Sequence, residues 1–485
     1  MGTGTWRAAL PHALRSFSLK IVIGALLVLA HGPSAVRAHA GPQVRGITLA
    51  RAQAPNLLLS NRGLMFGPPG DSTWRLMCNE ALGITTAELP EVVQFEDGRL
   101  LAACSAGLRE SRNGGCDWQP IAPFQMINAP ALTRDPSQPN RLYLTTFAPG
   151  QAALRVSEDG GTSWQQLAAA GDDEFLRDVR VAPSQPDRLY VRGLQCGSGG
   201  FKYSTWSSRD RGKNWDKRPI DIPRGESDFR LLAVSPKNPD LIVAKAEASN
   251  PVQTPERLLV SNDAGANYRS PISLHVLNAA VFSADGKQLW VGSDDGLFVS
   301  SDDGESFVQV GPAQYVDSLL AADGKLYLGG YYLGVSAGTT GVGVSSDGGQ
   351  SFETWMQLTQ VTQPAQCAPT TMTGTLCEAL WLDWEREILS AVAGAPAAGS
   401  GGSGAAGAAA GGAGGAGAAA AGAGVGGAAA AGMSAPAKTG GGCSAAPARD
   451  GAGNWWLLLM AAAAISQWRR VAGLWTRRIR ASSTP

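Results

Sequence analysis

Short apolar runs recur through the middle of the chain, each set off by turn-forming residues. They include Pro139-Asn140-Arg141-Leu142-Tyr143-Leu144, Pro186-Asp187-Arg188-Leu189-Tyr190-Val191, Pro239-Asp240-Leu241-Ile242-Val243, Gly286-Lys287-Gln288-Leu289-Trp290-Val291 and Gly324-Lys325-Leu326-Tyr327-Leu328. Leu, Val and aromatic residues bounded by Pro, Gly and Asn are strand signals. Several short strands repeated at a period of roughly 40–50 residues predict propeller blades, one supersecondary unit per repeat.

Roughly twenty residues after each run comes a second element, Ser-x-Asp-x-Gly-x-(Ser/Thr/Asn)-aromatic, at the repeat period expected of blades. Its five full copies carry Asp159, Gly161 and Trp164; Asp210, Gly212 and Trp215; Asp263, Gly265 and Tyr268; Asp302, Gly304 and Phe307; and Asp347, Gly349 and Phe352. A weaker copy runs Ser111 to Trp118, and an eroded one ends Asp71-Ser72-Thr73-Trp74. Asp accepts hydrogen bonds from backbone N–H groups just ahead of it, Gly supplies a positive φ, and the aromatic fills space between sheets. The element is therefore expected to be a structural hairpin turn rather than a site of chemistry. One aromatic per unit, from Trp74 to Phe352, gives an all-β, seven-bladed propeller over residues 41–360. Six or eight blades stay open, because the last blade is expected to be closed by strands from the two ends.

Residues 361–390 read as a cap. Glu378-Ala379-Leu380-Trp381-Leu382-Asp383-Trp384-Glu385-Arg386-Glu387-Ile388-Leu389 has helical apolar spacing, either packed on the propeller or offering Trp381 and Trp384 to a partner. Of seven cysteines, six lie in this body. Six allow fifteen connectivities, and a local bridge between Cys367 and Cys377 is the expected one.

The ends differ from the body. Arg7, Arg15 and Lys20 precede an apolar run from Ile21 to Ala30 and an Ala38-His39-Ala40 site, the order of a secretory signal peptide (1–40) cut after Ala40. Residues 391–442 are nearly all Gly and Ala, too poor in apolar side chains to offset the entropy of ordering, and read as a flexible linker. Residues 443–485 hold Cys443, an apolar run from Trp455 to Ile465 read as one C-terminal transmembrane helix, and Arg469, Arg470, Arg477, Arg478 and Arg480, whose excess would hold that end in the cytoplasm. With 40 basic and 40 acidic residues and no basic patch, nucleic acid is not expected as a partner.

The Ser-Asp-Gly-aromatic copies resemble the Asp-box (BNR) repeats shared by sialidases, sortilin-type receptors, xyloglucan-degrading enzymes and the photosystem II stability/assembly factor family. The last forty-five or so residues, Gly442-Cys443 above all, resemble the myxobacterial sorting signal MYXO-CTERM. That resemblance implies a sorting protease as partner and Cys443 as the processing or lipidation site. A plain single-pass anchor with an incidental cysteine is the alternative, and either reading tethers the body to an envelope membrane.

Little in the body suggests catalysis. The sialidase Phe/Tyr-Arg-Ile-Pro signature is absent, the nearest string being Asp221-Ile222-Pro223-Arg224. Another glycosidase would need two carboxylates flanking a sugar, for which Asp172, Asp173, Glu174, Glu226 and Asp228 are the candidates. His275 alone of four histidines lies outside the leader, so neither a zinc site nor a Ser-His-Asp triad is expected, and no cofactor is implied. The expected protein is a surface receptor, adhesin or assembly factor for a protein, peptide or glycan, with an extracellular glycoside hydrolase as the alternative.

Overall fold

The computed structural model describes residues 43–393 apart from 52–54, 68–72, 85–88, 149–151, 170–173, 198–199, 224, 252, 313 and 333–340. The expected signal cleavage at Ala40, most of the linker, Cys443 and the expected membrane helix lie outside the described residues. Among the described residues no helix is long and apolar enough to cross a membrane.

Among the described residues seven sheets form, each built from four antiparallel strands in sequence order, the first carrying a fifth strand besides. The first strands of the sheets are Val44–Thr48, Glu91–Gln94, Asn128–Arg134, Glu174–Val181, Glu226–Val234, Leu277–Phe282 and Gln314–Ala322. From sheet 2 to sheet 7 each neighbours the next, the first strand of sheet 7 packs against that of sheet 1, and sheets 1 and 2 share a core, which closes a ring. This is a seven-bladed β-propeller with a central channel lined by first strands. The second strands are the apolar runs read from the sequence; Leu100–Cys104 and Leu289–Ser293 are buried throughout because a neighbouring blade covers each face. Fourth strands such as Asp216–Ile220 sit at the rim and are polar and exposed. The cores lie between blades: Leu57, Leu64 and Met77 of blade 1 pack with Leu100, Ala102 and Trp118 of blade 2.

Ring closure departs from expectation. Blade 7 takes all four of its strands from one continuous stretch, Gln314–Ala322 through Glu353–Gln357, so no strand is left for the chain ends to supply. The C-terminal chain instead adds Val361–Pro364 to the outer edge of blade 1, parallel to Trp74–Cys78, with Val361 opposite Trp74. The Ala365 N–H donates to Leu76 O at 2.7 Å and extends this contact.

The expected Cys367–Cys377 bridge is not formed. Cys377 is bonded to Cys78 and Cys367 to Cys116, each with Cα atoms 5.3 Å apart. The edge strand explains this, because it lays the following chain across blades 1 and 2. There the helix Met372–Ala393 is docked by its first turn: Thr373 N–H donates to Cys116 O at 3.2 Å and Thr373 Oγ1 to Gly115 O at 2.6 Å. Cys367 is thereby held at the blade 2 turn, while the helix delivers Cys377 to the end of blade 1. Trp384 is buried with Trp74, Leu358 and Val361, and Trp381 packs beside it, so both tryptophans serve the docking of the cap.

Candidate functional site

The five Ser-Asp-Gly turns join the third and fourth strands of blades 3 to 7. In blade 3, Ser157 Oγ donates to Asp159 Oδ1 at 2.8 Å and accepts the buried Gly161 N–H at 2.7 Å. Asp159 then accepts the Ser163 N–H at 2.8 Å and its hydroxyl at 2.6 Å. Asp210 with Asn214, Asp263 with Asn267, Asp302 with Ser306 and Asp347 with Ser351 repeat the pattern. In blade 2 Asn113 stands in for Asp and accepts the Asp117 N–H at 2.9 Å. These bonds hold Asp159 and Asp302 down to about 2, the Ser163 and Ser306 hydroxyls foremost, and the Asn214 N–H does the same for Asp210.

The glycines follow with positive φ: +92° at Gly161, +85° at Gly212 and Gly265, +82° at Gly304 and +95° at Gly349. The aromatics enter the inter-blade cores. Trp164 meets Phe124 edge-on at 5.8 Å, Trp215 meets Trp206 at 6.0 Å and Tyr268 meets Phe229 at 5.7 Å, while Phe307 and Phe352 pack into the cores of blades 5–6 and 6–7. Each aspartate is used by its own turn. The turns also bind the first loop of their blade, as in Gly160 N–H to Asn140 O at 2.8 Å and Ala264 N–H to Asp240 O at 3.0 Å.

Charge converges in the channel instead. Arg192, on the second strand of blade 4 and 1% exposed, ion-pairs through Nε with Asp178 Oδ2 at 3.0 Å and through Nη1 with Asp228 Oδ1 at 2.5 Å. Asp178 sits at a bulge between Arg177 and Val179 with φ +34°, which turns its carboxylate toward blade 5, where the Leu231 N–H reaches it at 3.3 Å. Burial alone would raise Asp178, but Arg192, Arg180 and Arg230 together pull it below the usual carboxylate range.

Arg230 pairs with Glu247 at 3.1 Å, and Glu247 with Lys245 at 3.0 Å. Burial pushes Glu91 up against the pull of Arg180 and Arg230 on blades 4 and 5. Glu91 is nonetheless exposed and Arg230 is 51% exposed. Both facts hold for a side chain facing a narrow lumen, which water enters but protein surrounds.

A second cluster spans the seam of the ring. Arg45 of blade 1 pairs with Asp317 of blade 7 at 3.2 Å and donates to Asn278 of blade 6 at 2.8 Å, while Ser318 Oγ donates to Val44 O at 2.8 Å. Burial pushes Asp317 up to about 6, with Arg45 opposing and Asp294 adding to the rise.

The carboxylates singled out from sequence do not assemble as a free pair. Glu174 is bound to Lys217 at 2.6 Å, Glu226 to Arg257 at 2.9 Å and Asp228 to Arg192; Asp172 and Asp173 lie outside the described residues. His275 is exposed and contacts Asp295 at 3.2 Å. Sequence reasoning passed over Arg192, Asp178, Arg230, Glu91, Arg45 and Asp317. A signal was available for one of them: Arg192 interrupts the apolar run Leu189-Tyr190-Val191, and a lone charge in a strand buried on both faces demands a partner.

Among known families, the model described as Sortilin, neurotensin receptor 3, matches residues 152–306. No curated protein matches the chain. Among solved structures, the chain is similar to an ancestral GH74 enzyme at 14% identity and TM-score 0.46, covering 64% of this chain and 46% of that one. It is similar to YCF48 bound to D1 peptide at 18% identity and TM-score 0.35, over 54% of this chain and 83% of that one. It is similar to the extracellular domain of a putative hybrid two component system from B. thetaiotaomicron at 12% identity and TM-score 0.41, covering 64% and 38%. The chain thus spans about half the length of the GH74 enzyme.

Proposed function

We propose that this protein is an exported, membrane-tethered Asp-box propeller that acts at the cell surface as a binding or scaffolding module, presenting its blade loops to a protein, peptide or glycan. The Gly/Ala-rich stretch serves as the tether and Cys443 as the point of processing by a sorting protease. One observation carries the binding reading over hydrolysis. Glu174, Glu226 and Asp228, the described members of the sequence-derived acid set, are each tied to a Lys or Arg, and Asp178 and Asp228 share the single guanidinium of Arg192. Glycoside hydrolysis needs one carboxyl to donate a proton and a second free to act as base or nucleophile, and a carboxylate already bridged to a Lys or Arg is not free for either role.

The test has two arms. Protease shaving of intact cells should release propeller fragments, and Cys443→Ala should alter the mass of the mature C-terminus; a propeller reached only after lysis would overturn the surface assignment. The purified protein should leave a panel of xyloglucan, sialoside and other glycans intact, and turnover abolished by Glu91→Gln would move the assignment to a hydrolase.

A further inference from the structure

The end of the channel that carries the Ser-Asp-Gly turns opens into a cavity of about 500 Å³ between blades 7, 1, 2 and 3. That volume lies in the range of small-molecule sites, roughly 300–1,000 Å³. Its apolar surface comes from Ile47, Leu49, Phe95 and Leu320, residues at or just past the ends of first strands.

Two guanidinium groups, Arg51 and Arg134, share the lining. Arg134 lies over the Phe95 ring at 4.8 Å and donates through Nη2 to Gln94 O at 2.8 Å, which holds it in place. Its Nε is buried and has no hydrogen-bond partner. Arg99, on the same ring at 3.7 Å, is committed to Glu110 and Gly160 O, whereas neither Arg51 nor Arg134 forms an ion pair among the described residues. Burial, then Arg51 and Arg99, press the pKa of Arg134 down, and Glu96 pulls it the other way.

Two lining guanidinium groups without an ion pair among the described residues, beside an apolar surface, call for an anion attached to an apolar body. The acids Glu96 and Asp323, also in the lining, set an upper limit on that charge, since they repel a second negative charge on the ligand.

We propose that this cavity is a binding site for a small amphiphilic carboxylate, its apolar body on Ile47, Leu49, Phe95 and Leu320 and its anion between Arg134 and Arg51. Leu49, Arg51 and Phe95 belong to the loops after first strands, so the site lies on the surface proposed above, but it stands whichever partner the remaining loops take.

Calorimetric titration of the purified full-length chain with octanoate, octanol, octylamine and octyl phosphate tests it. Octanoate should bind saturably at one site and the neutral and cationic analogues should not. Arg134→Met should weaken octanoate about tenfold or more, the scale of a lost charge-assisted hydrogen bond. Because Arg134 also holds Gln94 O, Arg51→Ala, at an exposed side chain, is the second variant and should weaken binding without changing the melting temperature. Equal binding of octanol, tighter binding of octyl phosphate, or octanoate affinity unchanged in both variants would each overturn the assignment.

Discussion

Cys78 and Cys377 stand 299 residues apart in sequence and 5.3 Å apart between Cα atoms, joined by a disulfide that pins the C-terminal helix to the outer edge of blade 1. Cys116 and Cys367, 251 residues apart, do the same at blade 2. Blade 7 completes itself from its own stretch of chain, so the seam depends on side chains, on the edge strand Val361–Pro364 laid on blade 1 and on this covalent clasp. In the chain-entropy account a loop of this length contributes about 5 kcal/mol, the second, overlapping loop less. Cys78→Ser with Cys377→Ser should lower the melting temperature by roughly 10 °C, and non-reduced peptide mapping should give 78–377 and 116–367. A 367–377 peptide would refute the clasp.

The Ser-Asp-Gly turns have their own signature. Ser208 Oγ accepts the buried Gly212 N–H at 2.7 Å, so Ser208→Ala orphans that donor and should cost about 1–3 kcal/mol. Gly212→Ala should cost more, because φ is +85° and a Cβ would stand 2.4 Å from Leu167. The sign of the pH effect follows from the depressed aspartates. Asp159, Asp210 and Asp302 have folded pKa values of about 2, below the ordinary 3.8, so their contribution is whole above about 4 and lost as pH falls toward 2. Acid titration of stability should show its limb in that window, and Asp302→Asn should shallow it.

Blade number was legible because each repeat spends one aromatic, from Trp74 to Phe352, on the way into its fourth strand, and that requirement is local. The cysteine pairing was not. Nearness in sequence favoured 367 with 377, but the partners were chosen by an edge strand, Val361–Pro364, whose docking on blade 1 depends on the closed ring. The channel charges were half legible. Arg192 stands out in an apolar run, yet its partners come from a bulge in the neighbouring strand and from the next blade, a relationship fixed by the packing of blades 4 and 5.

Arg192 also carries a stability prediction. It is buried between two carboxylates of adjacent first strands, and Arg192→Met leaves both Asp178 and Asp228 without their common cation. Breaking a buried network from one side costs about 3–5 kcal/mol, mostly the stranded charges. Adding Asp178→Asn and Asp228→Asn to Arg192→Met should therefore recover a large part of the loss, measured by urea denaturation as a triple variant more stable than the single. A triple variant worse than the single would mean that the carboxylates are held chiefly by groups other than Arg192.

The seam between blades 1 and 7 makes the opposite prediction. Asp317 is 4% exposed, and its pKa is raised to about 6 by burial despite Arg45 at 3.2 Å. A folded carboxyl that titrates above its unfolded value of 3.8 binds more protons folded than unfolded, so stability falls as pH rises from about 4 to 6 and stays lower above. Two pKa units set a ceiling of about 3 kcal/mol on the effect. Asp317→Asn removes that burden: it should raise the melting temperature at pH 8 and leave it nearly unchanged at pH 4. If the variant is instead less stable at pH 8, the Arg45–Asp317 ion pair outweighs the burial of its carboxylate, and the seam is held by charge rather than in spite of it.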